Sequence, residues 1–138
     1  MDYIPTASDH SELKEYTNKV IVAGTRGYSN YIEFKTFMDH YISTLGNDSV
    51  IFISGAARSG ADKLIIDYCK EKRLPWVEFP ADWDMYGKSA GMIRNNQMAR
   101  EGTHLVAFYN LKSAGTKHMI GISKKLKLKT HVVYIDID

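Results

Sequence analysis

The sequence predicts an α/β protein: a three-layer sandwich around a five-stranded parallel sheet in the order 3-2-1-4-5. Three observations lead there. Short β-branched or aromatic runs alternate with segments of helical periodicity along most of the chain. Strands alternating with helices demand crossover connections, hence parallel pairing with both sheet faces covered. Finally, three runs end in small residues that can open a helix: VIVAGTRG from Val20 to Gly27, IFISGAARSGAD from Ile51 to Asp62, and LVAFYNLKSAGT from Leu105 to Thr116.

The elements follow in order. Residues 1–18 (MDYIPTASDHSELKEYTN) are polar and form an N-terminal arm, either flexible or helical over Ser11 to Tyr16, ahead of one domain spanning 19–138. Val20 to Ala23 is too short and too branched for a helix and is closed by Gly24. Asn30 and Glu33 have capping-box spacing, and Phe34, Phe37, Met38, Tyr41, Ile42 and Leu45 make one apolar helical face that stops at Gly46. Val50 to Ile53 is the second strand, and a helix from about Gly60 buries Ala61, Leu64, Ile65, Tyr68 and Cys69. Pro75 to Phe79 is the third strand, with proline at its first position. Pro80 to Tyr86 reads as a loop and Gly87 to Glu101 as a weaker helix. Leu105 to Tyr109 is the fourth strand, Gly115 and Thr116 open the last helix, and His131 to Ile135 is the fifth strand. The result is a Rossmann-like arrangement with its topological switch between strands one and four.

Composition narrows the class. The chain has 138 residues, 44% hydrophobic and 25% charged, enough for one domain with its own core. A net charge of +2 argues against bulk nucleic-acid binding. One cysteine, Cys69, excludes an internal disulfide and a cysteine metal cluster, and its helical spacing with Leu64, Ile65 and Tyr68 marks it as a buried thiol. No apolar run approaches the ~20 residues of a membrane span, and no leader-like stretch opens the chain. The expectation is a soluble cytoplasmic protein without a metal or cofactor.

In a parallel sheet all the helix-opening loops fall on the carboxyl edge, where helix N-termini suit a phosphate. Gly24 to Gly27 is neither a dinucleotide fingerprint nor a Walker loop; it is a tight turn, or a phosphate grip made of backbone N–H groups, Thr25 and Arg26. SGAARSGAD is more specific. Gly55 permits close backbone approach, Ala56 keeps space open, Arg58 offers a guanidinium, and Gly60 with Ala61 begins a helix. Asp62 in its first turn is either a helix-dipole residue or an acceptor for a ribose hydroxyl. The stretch ADWDMYGKSAGMIRNNQMAR places polar side chains where an apolar face belongs, so it turns toward a polar pocket. There Arg94 suits a phosphate and Asn95 a base or ribose, while Trp83 is a stacking platform or a plug and Met98 packs.

These blocks, GTRGY, SGAARSGAD, FPADWDMYGKSAGMIRNNQMA and the SAGT turn, closely resemble the YspA-like, cpYpsA-related branch of the SLOG superfamily, Rossmann-like relatives of DprA and of the LOG phosphoribohydrolases. The resemblance runs over roughly residues 19–135. It implies a nucleotide or nucleotide-derived ligand at the carboxyl edge, through Gly55, Arg58, Gly60, Asp62, Arg94 and Asn95. Gly115 and Thr116 match the end of the family's GGxGT turn, with Ser113 and Ala114 as departures. It also implies pairing into a homodimer. LOG enzymes carry a glutamate three residues after that threonine; Met119 stands there in this chain, and methionine has no acid–base chemistry, so their reaction does not carry over.

Three functions are thereby weighed. The first is binding of a nucleotide or ADP-ribose-like derivative by a sensor or sequestering protein. The second is cleavage of an N-glycosidic bond, for which Glu33, Asp62, Asp82 and Asp84 are the available carboxylates. The third is single-stranded nucleic-acid binding through Lys112, Lys117, Lys124, Lys125, Lys127 and Lys129, a set that a solvated helix face also explains.

Overall fold

Side chains alternating between the two faces of each strand organise the molecule. The structure, a computed structural model, describes residues 5–138, so the start of the expected arm at residues 1–4 lies outside the described residues. Five strands, β1 (Asn18–Gly24), β2 (Val50–Ser54), β3 (Trp76–Glu78), β4 (His104–Tyr109) and β5 (Lys129–Tyr134), pair in parallel in the order β3-β2-β1-β4-β5. Val20, Val22, Phe52, Val106 and Phe108 face one layer; Ile21, Ala23, Ile51, Ile53, Leu105 and Ala107 face the other. Both sets are buried, which is why these strands read as continuous apolar runs.

Helices α1 (Tyr31–Thr44) and α2 (Ala61–Lys72) cover the first face, with Phe34, Met38, Leu64, Ile65, Tyr68 and Cys69 in the core. On the second face, α4 (Ala90–Glu101) and α5 (Ala114–Lys125) contribute Met98, Ala99 and Met119. A 3-10 helix, His10–Glu15, adds Leu13 to that layer, and Ser8 N–H donates to Trp76 O beside the sheet edge. Of the two forms considered for this segment, the helical one is present from residue 10. It has a complete capping box between Asp9 and Glu12.

Local chemistry altered three expectations. Asn30 caps α1 by accepting from Glu33 N–H, but the Glu33 carboxylate takes the Tyr28 hydroxyl at 2.6 Å, so the box is half formed. Residues 80–86 are not all loop: Asp82 accepts from Met85 N–H and starts a short helix, α3 (Trp83–Tyr86). Nor does one helix run from Gly87 to Glu101. Gly87 has φ +54° and ψ −132°, a conformation glycine tolerates, and a 3-10 turn over Gly87–Ser89 precedes α4.

Two glycines set how closely the layers meet. A Cβ on Gly24 would stand 2.6 Å from Phe108 O across the β1–β4 pair. Gly60 holds φ +73° and ψ −159° at the start of α2, and a Cβ there would stand 2.6 Å from Thr25 O. Gly24→Ala and Gly60→Ala are each expected to destabilise the fold by about 2–3 kcal/mol in chemical denaturation. Gly115→Ala, with nothing within 4 Å of the added atom, is expected to change stability little. Burial also pushes the Cys69 thiol far up from its ordinary range. Cys69 is therefore expected to resist a thiol reagent in native buffer and to react at once in denaturant.

Candidate functional site

Where the strand order reverses, the loops after β1 and β4 part and leave a crevice of about 600 Å³ at the carboxyl edge. Its two sides are sewn together at the base. Thr25 N–H donates to Phe108 O at 2.9 Å, and Asn110 N–H donates to Thr25 Oγ1 at 3.3 Å. Tyr28 N–H closes a turn on Thr25 O at 3.1 Å, and the intervening Arg26 and Gly27 amides have no partner among the described residues. Across the crevice, Asn110 Oδ1 accepts from Lys112 and Ser113 N–H at 2.9 and 3.0 Å, shaping the approach to α5. Ser113 is the N-cap of α5. Its hydroxyl accepts from Thr116 N–H and meets Thr116 Oγ1 at 2.9 Å, which gives the serine of SAGT a definite task. The first-turn amides of Ala114 and Gly115 have no intrahelical acceptor, and both residues line the crevice.

A second group comes from the β2 loop and α4. Ser54 Oγ donates to Asp62 O, Ala56 N–H donates to Ser54 Oγ, and Ala57 N–H donates to Asp62 Oδ2 at 3.1 Å, so the loop folds back on the start of α2. Arg94 reaches in from α4: Nη1 donates to Gly55 O and Nε to Asn95 Oδ1 at 3.1 Å. A Cβ on Gly55 would stand 2.6 Å from Arg94 Nη1 and 2.8 Å from Asp62 Oδ2, so a larger residue there displaces these two side chains. Burial raises the Asp62 carboxyl above its ordinary value, against the Ala57 amide and the positive charges of Arg94 and Arg26, which pull it down. For Arg94, burial works against the charge, Asp62 supports it and Arg26 opposes it. Two guanidinium groups from separate elements thus repel each other beside one carboxylate, and a bound anion relieves that repulsion.

Asn95, buried at 6% exposure, joins α4 to α5 through Nδ2, which approaches Gly115 O at 3.3 Å and His118 Nδ1 at 3.1 Å. The rim is apolar and cationic: Trp83 at 52% exposure, Met92 at 55%, and the side chains of Lys88 and Lys112. Met119 and Met98 complete the inner wall from the core.

Among the residues singled out from sequence, Gly24, Thr25, Arg26, Asp62, Trp83, Arg94, Asn95, Gly115 and Thr116 line this one crevice. Gly55, Ala56, Gly60 and Ala61 do not; they support it from beneath and behind. Arg58 is exposed and stands outside it. Ala56 takes a left-handed φ of +60°, and the loop leaves it with Ala57, not Arg58, at the crevice. Asp82 and Asp84 are exposed and off the crevice, and Glu33 is engaged by Tyr28, so Asp62 is the one carboxylate of those four that lines it. Of the six lysines considered, only Lys112 does. Asn110 and His118 were missed by sequence reasoning. The Asn110–Ser113 spacing is an available signal for the first; His118 had only its place one turn after Gly115.

The raised Asp62 carboxyl has a pH consequence. Its folded-state pKa exceeds the unfolded value, so between the two the folded protein holds more protons and loses stability as pH rises. Above the raised value that cost is fully present. Asp62→Asn, an isostere of the neutral form, is expected to be at least as stable as the parent at pH 7. The gap should close as pH falls toward about 4, read by thermal melts across pH.

Similarity to known proteins agrees with this architecture. Residues 18–86, half of the chain, match the family described as YspA, cpYpsA-related SLOG. Gene 61 protein of Mycobacterium phage D29 is 39% identical over 46 residues, 33% of this chain and 37% of the phage protein. DNA processing protein A (DprA) of Streptococcus pneumoniae shares the fold with a TM-score of 0.67 at 15% identity, over 88% of this chain and 51% of that one. DprA of Helicobacter pylori, described for its single-stranded DNA binding mode, gives 0.62 at 16% identity, over 91% of this chain and 69% of that one. The chain thus spans about a third of the phage protein and about half of the pneumococcal one. With its five-stranded sheet in the order 3-2-1-4-5 and its glycine loops gathered at one edge, the chain belongs to the YspA, cpYpsA-related SLOG family.

Proposed function

We propose that the crevice binds a nucleotide or an ADP-ribose-like derivative, as the ligand site of a sensor or sequestering protein. The observation that carries this reading is the convergence of Arg26 and Arg94, from two distant segments, on one cavity that also receives the first turn of α5 and the Asp62 carboxylate. Phosphate is the anion such a set accommodates, with backbone amides and guanidinium groups as donors. Asp62 suits the hydroxyls of a ribose, and Trp83 with Met92 offers an apolar wall for a base.

Arg26 gives the cleanest test, because its side chain is exposed and lines the crevice. Arg26→Ala is expected to keep the fold and weaken binding of adenosine monophosphate or ADP-ribose by about 1.5–3 kcal/mol in calorimetry. Unchanged affinity in the folded variant would overturn the phosphate assignment. Arg58→Ala measured alongside reads the ligand's extent: a comparable loss means that the ligand reaches past the crevice to the β2 loop.

The same site bears on glycosidic cleavage. No release of base from adenosine or guanosine monophosphate is expected. Steady release that Asp62→Asn abolishes would establish the hydrolase reading instead. Single-stranded DNA is the second reading, favoured by Trp83 and Tyr86 exposed near Lys88 and Lys112 and by the binding described for the Helicobacter DprA. A short oligothymidylate that quenches Trp83 fluorescence with a steep salt dependence would select it.

A further inference from the structure

The Asn95 carboxamide is held between two neighbours whose hydrogen-bonding roles cannot be exchanged. Arg94 Nε can only donate, and it meets Asn95 Oδ1 at 3.1 Å. Gly115 O can only accept, and it meets Asn95 Nδ2 at 3.3 Å. Oxygen and nitrogen of the amide are therefore assigned by chemistry, not by choice of rotamer. Nδ2 also faces His118 Nδ1 at 3.1 Å, carrying its second hydrogen. An N–H facing a ring nitrogen requires a lone pair there. His118 Nδ1 therefore accepts in this arrangement, and the ring N–H is the one at Nε2.

The other edge of the ring is the informative one. His118 lines the crevice, and its Nε2 has no partner among the described residues. A half-buried imidazole is thus held with its Nε2 edge turned to no protein partner among the described residues. It lies on the α5 side facing α4, the helix that supplies Gly91 and Met92 to the apolar wall beside Trp83. The phosphate-suited amides of Ala114 and Gly115 lie a turn earlier on α5. Resting on the nucleotide reading above, we propose that His118 is a specificity-determining residue that donates its Nε2–H to an acceptor on the base edge of the bound nucleotide. Asn95 is its positioning residue, and Arg94 holds Asn95 in turn.

The experiment compares adenosine monophosphate with ribose 5-phosphate, which has the same sugar phosphate and no base. With the parent protein, calorimetry is expected to show tighter binding of the nucleotide. His118→Phe, which keeps a ring and removes the donor, should weaken the nucleotide by tenfold or more and leave ribose 5-phosphate within twofold. His118→Gln, which keeps an N–H near the Nε2 position, should recover part of the loss. Nitrogen-15 spectra of the free protein should show His118 protonated at Nε2 and bare at Nδ1, with that preference lost in Asn95→Ala. Equal effects of His118→Phe on both probes, or a proton found on Nδ1, overturn the proposal while leaving nucleotide binding intact. Failure of both probes to bind the parent protein overturns the nucleotide reading and the base contact together.

Discussion

A half-buried arginine has to find acceptors, and the site is arranged around how Arg94 finds them. Its charge is stabilised by Gly55 O, Asn95 Oδ1 and the field of Asp62, which belong to the β2 loop, α4 and α2. Each partner then constrains another residue. Gly55 leaves room for the guanidinium and for the Asp62 carboxyl, both of which a Cβ there would push aside. Asn95 must turn its oxygen toward α4 and its nitrogen toward α5, which orders His118 and the Gly115 carbonyl. One partly desolvated cation thereby ties the β2 loop and the start of α2 to α4 and, through Asn95, to α5.

The β1–β4 seam supplies the complementary constraint. Here the glycine at the strand end serves proximity: Gly24 brings the backbone against Phe108, and Thr25 and Asn110 bond across the gap. The crevice is open above this seam because the two loops diverge only after being pinned. A floor fixed by backbone bonds presents its amides at a constant spacing, which is what a small anion needs from a site that does not reorganise. The rim is different in kind. Trp83 on the short helix α3 and Met92 on α4 put exposed apolar side chains there, on either side of the turn at Gly87.

How much of this was legible depends on whether a residue's role is local. The strands and their order could be read because apolar runs buried on both faces, each closed by small residues, leave little alternative to a parallel sheet. Gly24, Thr25, Gly115 and Thr116 were found because they lie at strand and helix ends, which topology gathers on one edge. Arg58 shows the limit. Its motif fixed the loop but not the direction in which the side chain leaves it, and one left-handed residue at Ala56 decided that. Residues 83–89 were obscured by Pro80 and by aromatic content that masks a four-residue helix capped by Asp82. His118 has no local signature. Its ring is oriented by Asn95, 23 positions away.

The electrostatics of the crevice also separate binding from glycosidic cleavage. Breaking a ribosyl bond develops positive charge at the sugar, and an enzyme assists by placing negative charge beside it. Arg26 and Arg94 supply positive charge to this cavity, Lys88 adds more at its rim, Lys112 is paired with Asp138 at 3.6 Å, and burial biases Asp62 toward its neutral form. Met119, fully buried against the core, contributes packing where an acid would be needed. Such a field stabilises the phosphate of a ground-state nucleotide more than a cationic transition state. Positive charge of this kind opposes a cationic transition state, which supports the proposed binding reading over the hydrolytic one.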